Sequence, residues 1–255
     1  MEANPLMEFQ GKKIVVTGAS SGIGRAISIE LSRCGASLIL LGRNKEGIEG
    51  TASLLQSDDY HMLILDLKER SLIYPRIIEI SKKSGRIYGM CHCAGVVETR
   101  PLGLCMTDGF KEMIDVNLLS GIELARAVCR RQVMEENGGS ILFISSIYAL
   151  VGMPGQIGYT ASKGAVNSAV RSMAIELARR KIRVNTLSPG LVRTDMTNKA
   201  FELLTEEQIK KLEEAFPLGV GTPEDVARAA AFLLAPRNSW ITGIDLIVDG
   251  GYTAA

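Results

Sequence analysis

Apolar residues recur along the chain in short unbroken runs, separated by longer stretches in which apolar and polar residues alternate at helical spacing. Seven runs read as strands: Ile14–Val16, Ser37–Leu41, Met62–Leu65, Ile87–Cys93, Ser140–Ser145, Arg183–Leu187 and Leu246–Val248. They are apolar at successive positions rather than at every second one, which is the pattern of strands buried on both faces of a parallel sheet. The stretches Arg25–Cys34, Asp108–Met134, Tyr159–Arg180 and Pro223–Leu234 read as helices, the last with Thr222 as its cap and Pro223 at its first position. This alternation predicts an α/β fold: a doubly wound, seven-stranded parallel sheet with helices on both faces, joined by right-handed crossovers. No linker, repeat or low-complexity tract interrupts it, so residues 1–255 read as a single domain. The one break in rhythm is 191–218, a charged insertion that reads as helical and carries Glu202, Glu206, Glu207, Lys210, Lys211, Glu213 and Glu214. It is either a solvated helix or a lid, because ligands of open α/β sheets bind at the carboxyl ends of the strands.

Composition removes several classes of function. With 46% hydrophobic residues and 29 basic against 28 acidic side chains, the chain is neither a disordered polyelectrolyte nor a binder that works by neutralising nucleic-acid phosphates. No apolar run is long enough to cross a bilayer and the first residues lack the order of a signal peptide, so no membrane partner is expected and the location reads as cytoplasmic. Five cysteines form an odd set without a disulfide framework, which fits a reducing compartment. Cys91 and Cys93 flank His92, but a strand sends the two thiols one way and the imidazole the other, and no second cluster completes a site, so no metal is expected. Gly, at 26 residues, is frequent enough to suggest positions where a side chain would obstruct something.

Two motifs carry chemistry. The first strand runs into Thr17-Gly18-Ala19-Ser20-Ser21-Gly22-Ile23-Gly24 and then a helix. Glycines there let the backbone turn sharply against a pyrophosphate, whose charge meets the free N–H groups of the helix start. Three glycines at this spacing are expected by chance about 0.1 times in such a chain, so the context, strand before and helix after, is what strengthens the motif. The second motif is Ser146, Tyr159 thirteen residues on, and Lys163 at i+4 from the tyrosine. The i,i+4 spacing stacks Tyr159 and Lys163 on one helix face. A phenol titrates near 10, and bringing it two to three units down requires roughly 3 to 4 kcal/mol of phenolate stabilisation, which a neighbouring cation can supply.

These residues, in this order, resemble the classical short-chain dehydrogenases/reductases over nearly the whole chain. The resemblance rests on Thr17 to Gly24, Cys93-Ala94-Gly95, Asn117, Ser146, Tyr159, Lys163, Asn185, Ser188-Pro189-Gly190 with Thr194, and the ending Ile241-Thr242-Gly243 to Val248-Asp249-Gly250-Gly251. It implies a single-domain Rossmann fold and a hydride transfer between a nicotinamide and a carbonyl or secondary alcohol. Tyr159 would be the general acid for reduction and base for oxidation, Ser146 would hold the substrate oxygen, Lys163 would bind the nicotinamide ribose and lower the Tyr159 pKa, and Asn117 would hold a water linking Lys163 to solvent. The dinucleotide would lie along Gly18, Ser20, Ser21, Gly22, Ile23, Gly24, Arg43, Asp66, Leu67, Cys93, Ala94, Gly95, Tyr159, Lys163, Pro189, Gly190, Val192 and Thr194. One departure is His92, where the family often has Asn; a ring nitrogen can stitch strands together in its place.

Relatives that use NAD place an acid at the end of the second strand, whereas this chain reads Leu41-Gly42-Arg43-Asn44. Gly42 fills the acid's place and Arg43 offers a cation for a 2′-phosphate, so NADP(H) is preferred to NAD(H). Asp66 matches the family's adenine-binding acid. Around the substrate the geometry places Ser146, Tyr148, Ile157, Tyr159 and Met196, with Val96, Val97, Met153 and Gln156 beside them; the mostly apolar lining suits a compact or acyl-like carbonyl compound. Length and ending look most like the 3-oxoacyl-acyl-carrier-protein reductases. Of the cations with which those dock an acidic carrier protein, Arg180 matches one, but the other falls near Glu136 or Asn137, where the cation is missing, which counts against that partner. A non-catalytic dinucleotide-binding regulator is the alternative in another class, and the presence of all three of Ser146, Tyr159 and Lys163 speaks against it. Small residues on the Tyr159 helix (Ala161, Gly164, Ala165, Ser168, Ala169, Ser172) permit close helix contact, and the resemblance implies a homotetramer, or a homodimer.

Overall fold

Seven strands, β1 (Lys13–Thr17), β2 (Ser37–Gly42), β3 (Tyr60–Ile64), β4 (Gly89–His92), β5 (Gly139–Ile144), β6 (Ile182–Pro189) and β7 (Asp245–Val248), pair in parallel in the order β3-β2-β1-β4-β5-β6-β7. The computed structural model describes residues 8–202 and 204–254, apart from the side chains of Met196, Lys199 and Ala200. The helices are α1 (Gly22–Arg33), α2 (Lys45–Ala52), α3 (Arg70–Ser84), α4 (Thr107–Ile114), α5 (Ser120–Val128), α6 (Ile157–Leu177), α7 (Asp195–Phe201), α8 (Glu206–Glu214) and α9 (Pro223–Leu234).

Alternation along each strand builds two separate cores. Ile14, Val16, Leu38, Leu40, Cys91 and Leu142 face α1, α2 and α9, while Val15, Ile39, Leu41, Met90 and Ile141 face α3, α5 and α6. Both faces are therefore covered, which is why the strands read as continuous apolar runs. Successive strands lie on opposite sides of β1 up to β3 and from β4 onward, so the order reverses between β1 and β4. A crevice opens outside the carboxyl ends of the strands at such a reversal.

All seven expected strands are present, with ends shifted by a few residues. The strand expected at Ile87–Cys93 is shorter because Ile87 bridges Met134 instead of joining the ladder, and because the N–H groups of Cys93 and Ala94 go to the Thr17 hydroxyl. The helix expected across Asp108–Met134 is two helices. A π-helical turn, Asp115–Leu119, lies between α4 and α5, and the chain then turns so that Ile87 donates to the Val133 carbonyl. One inserted residue barely disturbs an amphipathic pattern, so periodicity reads straight through a π turn. Helices α2 and α3 fill the crossovers that the alternation predicts, though no bounds were set for them: α2 is short with two glycines, and α3 carries Pro75 inside it. The 191–218 insertion is helical, as expected, and α8 opens on a capping box between Thr205 and Gln208. Thr222 caps α9 with Asp225 as its reciprocal partner. Among the described residues no helix is long and apolar enough to cross a membrane.

Candidate active site

A cleft of about 400 Å³ lies over the β1/β4 reversal. Every residue that the sequence assigned to the dinucleotide lines it, from the loop after β1 to Pro189, Gly190, Val192 and Thr194 after β6. The loop after β1 is shaped by two glycines. Gly18 has φ +64°, and a Cβ there would sit 3.0 Å from the Ala94 nitrogen, so the turns after β1 and β4 touch backbone to backbone. A Cβ at Gly24 would overlap the Gly18 carbonyl, so its absence lets α1 start directly against the turn. No side chain caps α1 at Ser21 and its first turn holds no acid. The cleft therefore faces unshared N–H groups and a positive helix end, which fits a pyrophosphate.

Register sets Thr17 beside His92 across the reversal. The Thr17 hydroxyl accepts from the N–H groups of Cys93 and Ala94, each at 3.0 Å, and lies 3.0 Å from His92 Nδ1. His92 Nε2 is 3.2 Å from the Val116 carbonyl, which can only accept. The proton is therefore on Nε2, and Nδ1 accepts from Thr17. Burial first, and then the Lys163 charge, hold His92 down at about 4, so the ring is neutral. His92 stitches strand to loop, as expected of it.

At the carboxyl end of β5, Ser145 and Ser146 both line the cleft but are not equivalent. The Ser145 hydroxyl donates to the Lys163 carbonyl, whereas Ser146 Oγ accepts from the Tyr148 N–H at 3.2 Å and stands close enough to Tyr159 to act on its acidity. The i,i+4 pair sits on the first turns of α6, with the Lys163 ammonium 5.6 Å from the Tyr159 ring centroid. Lys163 Nζ is buried and donates to the Ile144 carbonyl at 2.8 Å. The expectation that Lys163 lowers the Tyr159 pKa is not met here. Burial pushes the phenol up to about 12, the hydrogen bond from Ser146 pulls it down, and Tyr148 adds to the rise. The ammonium stands 5.6 Å from the ring centroid and is tied to the Ile144 carbonyl, and burial of the phenol outweighs what lowers it. Burial also brings Lys163 down to about 8.

Asn117, in the π turn, lies behind the cleft. Its Oδ1 accepts from Val96 N–H at 2.8 Å, and its Nδ2 donates to the Val96 carbonyl and to Ser162 Oγ. Ser162 in turn donates to the Tyr159 carbonyl. The side chain thus clamps the loop after β4 to α6, and its Oδ1 and the Lys163 ammonium both lie beside Gly95. At the opposite end of the cleft, Arg43 lies 3.6 Å from the Asp66 carboxylate, and a Cβ on the neighbouring Gly42 would press on Ile48 at 3.3 Å. Tyr148 and Ile157 do not line the cleft. Tyr148 stands close enough to Tyr159 to act on its charge, and Ile157 is exposed at the start of α6. The Met196 side chain lies outside the described residues.

A family described as Enoyl-(Acyl carrier protein) reductase matches residues 18–253, nearly the whole chain. The chain belongs to the short-chain dehydrogenase/reductase family. The 3-oxoacyl-[acyl-carrier-protein] reductase FabG of Rickettsia conorii is 34% identical over 248 residues, covering 96% of this chain and 98% of its own. The 3-oxoacyl-[acyl-carrier-protein] reductase of Homo sapiens is 36% identical over 241 residues, covering 94% and 97%. Among solved structures, a short-chain type dehydrogenase/reductase from Mycobacterium ulcerans superposes with TM-score 0.89 at 30% identity, covering 96% of this chain and 91% of that one.

As a short-chain dehydrogenase/reductase, the protein is an oxidoreductase of the nicotinamide-dependent class. Its cleft also contains residues that the motifs do not reveal. Lys68, Val116, Asp195 and Thr197 line it. Lys68 is paired at 2.7 Å with Glu112, and Thr197 donates to the Val192 carbonyl to hold the start of α7. No spacing marks Lys68, since its contact joins the loop after β3 to α4. For Asp195 and Thr197 a signal was present: they follow Thr194 directly, at the head of the charged insertion.

Proposed function

We propose that this protein is an NADP(H)-dependent oxidoreductase that interconverts a carbonyl compound and its secondary alcohol, with Tyr159 exchanging the proton. The observation that carries this reading is the meeting of Ser146, Tyr159 and Lys163 in one cleft with an uncapped helix start ringed by glycines. The nicotinamide, when bound, supplies or accepts the hydride. Ser146 holds the substrate oxygen by hydrogen bond, and Tyr159, protonated at neutral pH, gives its phenolic proton to that oxygen as charge develops on it. The Lys163 ammonium, tied to the Ile144 carbonyl, would hold the nicotinamide ribose. Asn117 keeps the loop after β4 in register with Tyr159 through Val96 and Ser162.

Arg43 beside an acid-free Gly42 supports NADP(H) over NAD(H), since position 42 carries no acid and a 2′-phosphate could replace Asp66 as the partner of the Arg43 cation. Asp66 and Leu67 would border the adenine. The 191–218 insertion, whose first residues line the cleft, would cover the nicotinamide end. A second reading narrows the substrate to a 3-oxoacyl group on a carrier protein. It is supported by the names of both curated relatives. Docking would rest on Arg180, because Glu136 stands where a second cation would serve and is paired with Arg86 at 3.0 Å. A hydroxyl poised to hold an oxygen favours a carbonyl over the carbon–carbon double bond that the family description names. Five free cysteines support a cytoplasmic setting.

The test is oxidation of NADPH and NADH over β-keto esters, 3-oxoacyl thioesters on coenzyme A and on carrier protein, quinones, keto sugars and steroids. Turnover of at least one ketone, faster with NADPH, is expected. Tyr159→Phe should lower kcat/KM by about a hundredfold or more while NADPH still binds. A fully active Tyr159→Phe variant, or equal use of NADH, would overturn the corresponding part of the reading.

A further inference from the structure

The two thiols at the end of β4 have no part in the chemistry above. Cys91 and Cys93 are two residues apart, so both project from the same face of the sheet, and their sulfurs lie 3.4 Å from each other. Cys91 is completely buried in the core under α1 and α9. Cys93 is only partly buried and lines the cleft. It lies just beyond β4, where its N–H is held by the Thr17 hydroxyl rather than by the ladder. One thiol is therefore reachable from the cleft, and the other waits behind it within contact distance.

We propose that Cys91 and Cys93 form an oxidisable dithiol whose closure to a disulfide weakens dinucleotide binding. A peroxide is the oxidant. The Cys93 sulfur attacks a peroxide oxygen, the O–O bond breaks, and one water leaves as Cys93 becomes a sulfenic acid. The Cys91 sulfur then displaces the hydroxyl, its proton joins that hydroxyl as a second water, and the S–S bond forms. Two thiols are oxidised by two electrons, and one hydrogen peroxide is reduced to two waters.

Closure changes the cleft because of where the motion must fall. A disulfide needs a separation of about 2.05 Å, so the sulfurs must approach by roughly 1.4 Å. Cys91 is fixed in the core, which leaves Cys93 to move. Its neighbour Ala94 is already in contact with Gly18, and both N–H groups of the turn share the Thr17 hydroxyl. Pulling Cys93 inward therefore shifts the turn after β4 against the glycine loop. The link to dinucleotide binding rests on the functional reading above, whereas formation of the disulfide does not.

The full-length protein, reduced and then treated with hydrogen peroxide, is analysed by intact mass, by differential alkylation with fragment mapping, and by NADPH titration. The expected result is a loss of about 2 Da, with Cys91 and Cys93 protected together and Cys34, Cys105 and Cys129 still alkylated. NADPH binding should weaken at least about tenfold and return with dithiothreitol. Cys91→Ala should bind NADPH normally when reduced, and on oxidation should gain about 16 Da or more at Cys93 without losing 2 Da. A bridge to Cys105, oxygen on Cys93 with Cys91 still alkylable in the unmutated protein, or no mass change overturns the dithiol. A Cys91–Cys93 bridge with unchanged NADPH affinity overturns its effect on the cleft. If the reduced protein binds no NADPH at all, the functional reading fails while the mass result stands by itself.

Discussion

Tyr159 and Lys163 are neighbours on one helix face, yet burial shifts them in opposite directions, and this determines how the reaction responds to pH. The phenol is raised to about 12 and the ammonium lowered to about 8. Reduction needs a protonated phenol, which persists to high pH, and a charged Lys163, which does not. The kcat/KM for reduction should therefore stay level in the neutral range and fall as pH rises through about 8, and Lys163→Met should remove that limb from the profile. His92 carries a separate signature. Its folded value of about 4 lies below the ordinary 6.5, so the unfolded chain takes up the proton first as pH falls. The stability contributed by neutral His92 is thus complete above 6.5 and is lost as pH falls toward 4, about 2 kcal/mol of it between pH 7 and pH 5. Denaturant unfolding at the two pH values measures this, and His92→Asn should flatten the difference. The spacing of Tyr159 and Lys163 was legible in the sequence because helical geometry fixes which residues share a face. The direction of the phenol's shift was not, because it depends on what the rest of the chain packs around that face.

Between elements, Thr17 does what no single strand could. Its hydroxyl accepts two N–H groups of the turn after β4 and donates to His92, so one side chain joins the ends of β1 and β4 at the point where the strand order reverses. Thr17→Val keeps the shape and leaves those partners buried without a bond. It should cost roughly 1 to 3 kcal/mol in denaturant unfolding and weaken NADPH binding, while an unchanged midpoint would show that the junction holds without it. Elements were readable where a pattern was local and strong. All seven strands could be seen as apolar runs, and α9 announced itself through Thr222 and Pro223. The bounds of helix α3 were not legible because Pro75 contradicts local propensity while packing of Ile73, Ile77 and Ile80 against the sheet overrides it. The π turn that places Asn117 escaped because it preserves the apolar stripe on either side.

Across the whole molecule, apolar surface remains where the fold itself offers no cover. Trp240 is 98% exposed and Ile175 80%, and β7 is paired on one side only, by β6. Burying these side chains between copies of the chain would remove that apolar surface from water. A homotetramer, or at least a dimer, is expected, and sizing with light scattering should give a multiple of 27.5 kDa; a particle of 27.5 kDa would refute it. The sequence by itself determined the α/β class, the number of strands, the glycine turn and the order Ser146, Tyr159, Lys163, because each depends on periodicity or spacing that neighbouring residues impose on one another. Only the tertiary structure decided that Asn117 clamps the loop after β4 to α6, that the His92 ring is held neutral between Thr17 and Val116, and that burial raises the Tyr159 phenol. Those outcomes depend on contacts between residues far apart in the chain, where hydrogen-bond partners and the extent of burial are set by packing.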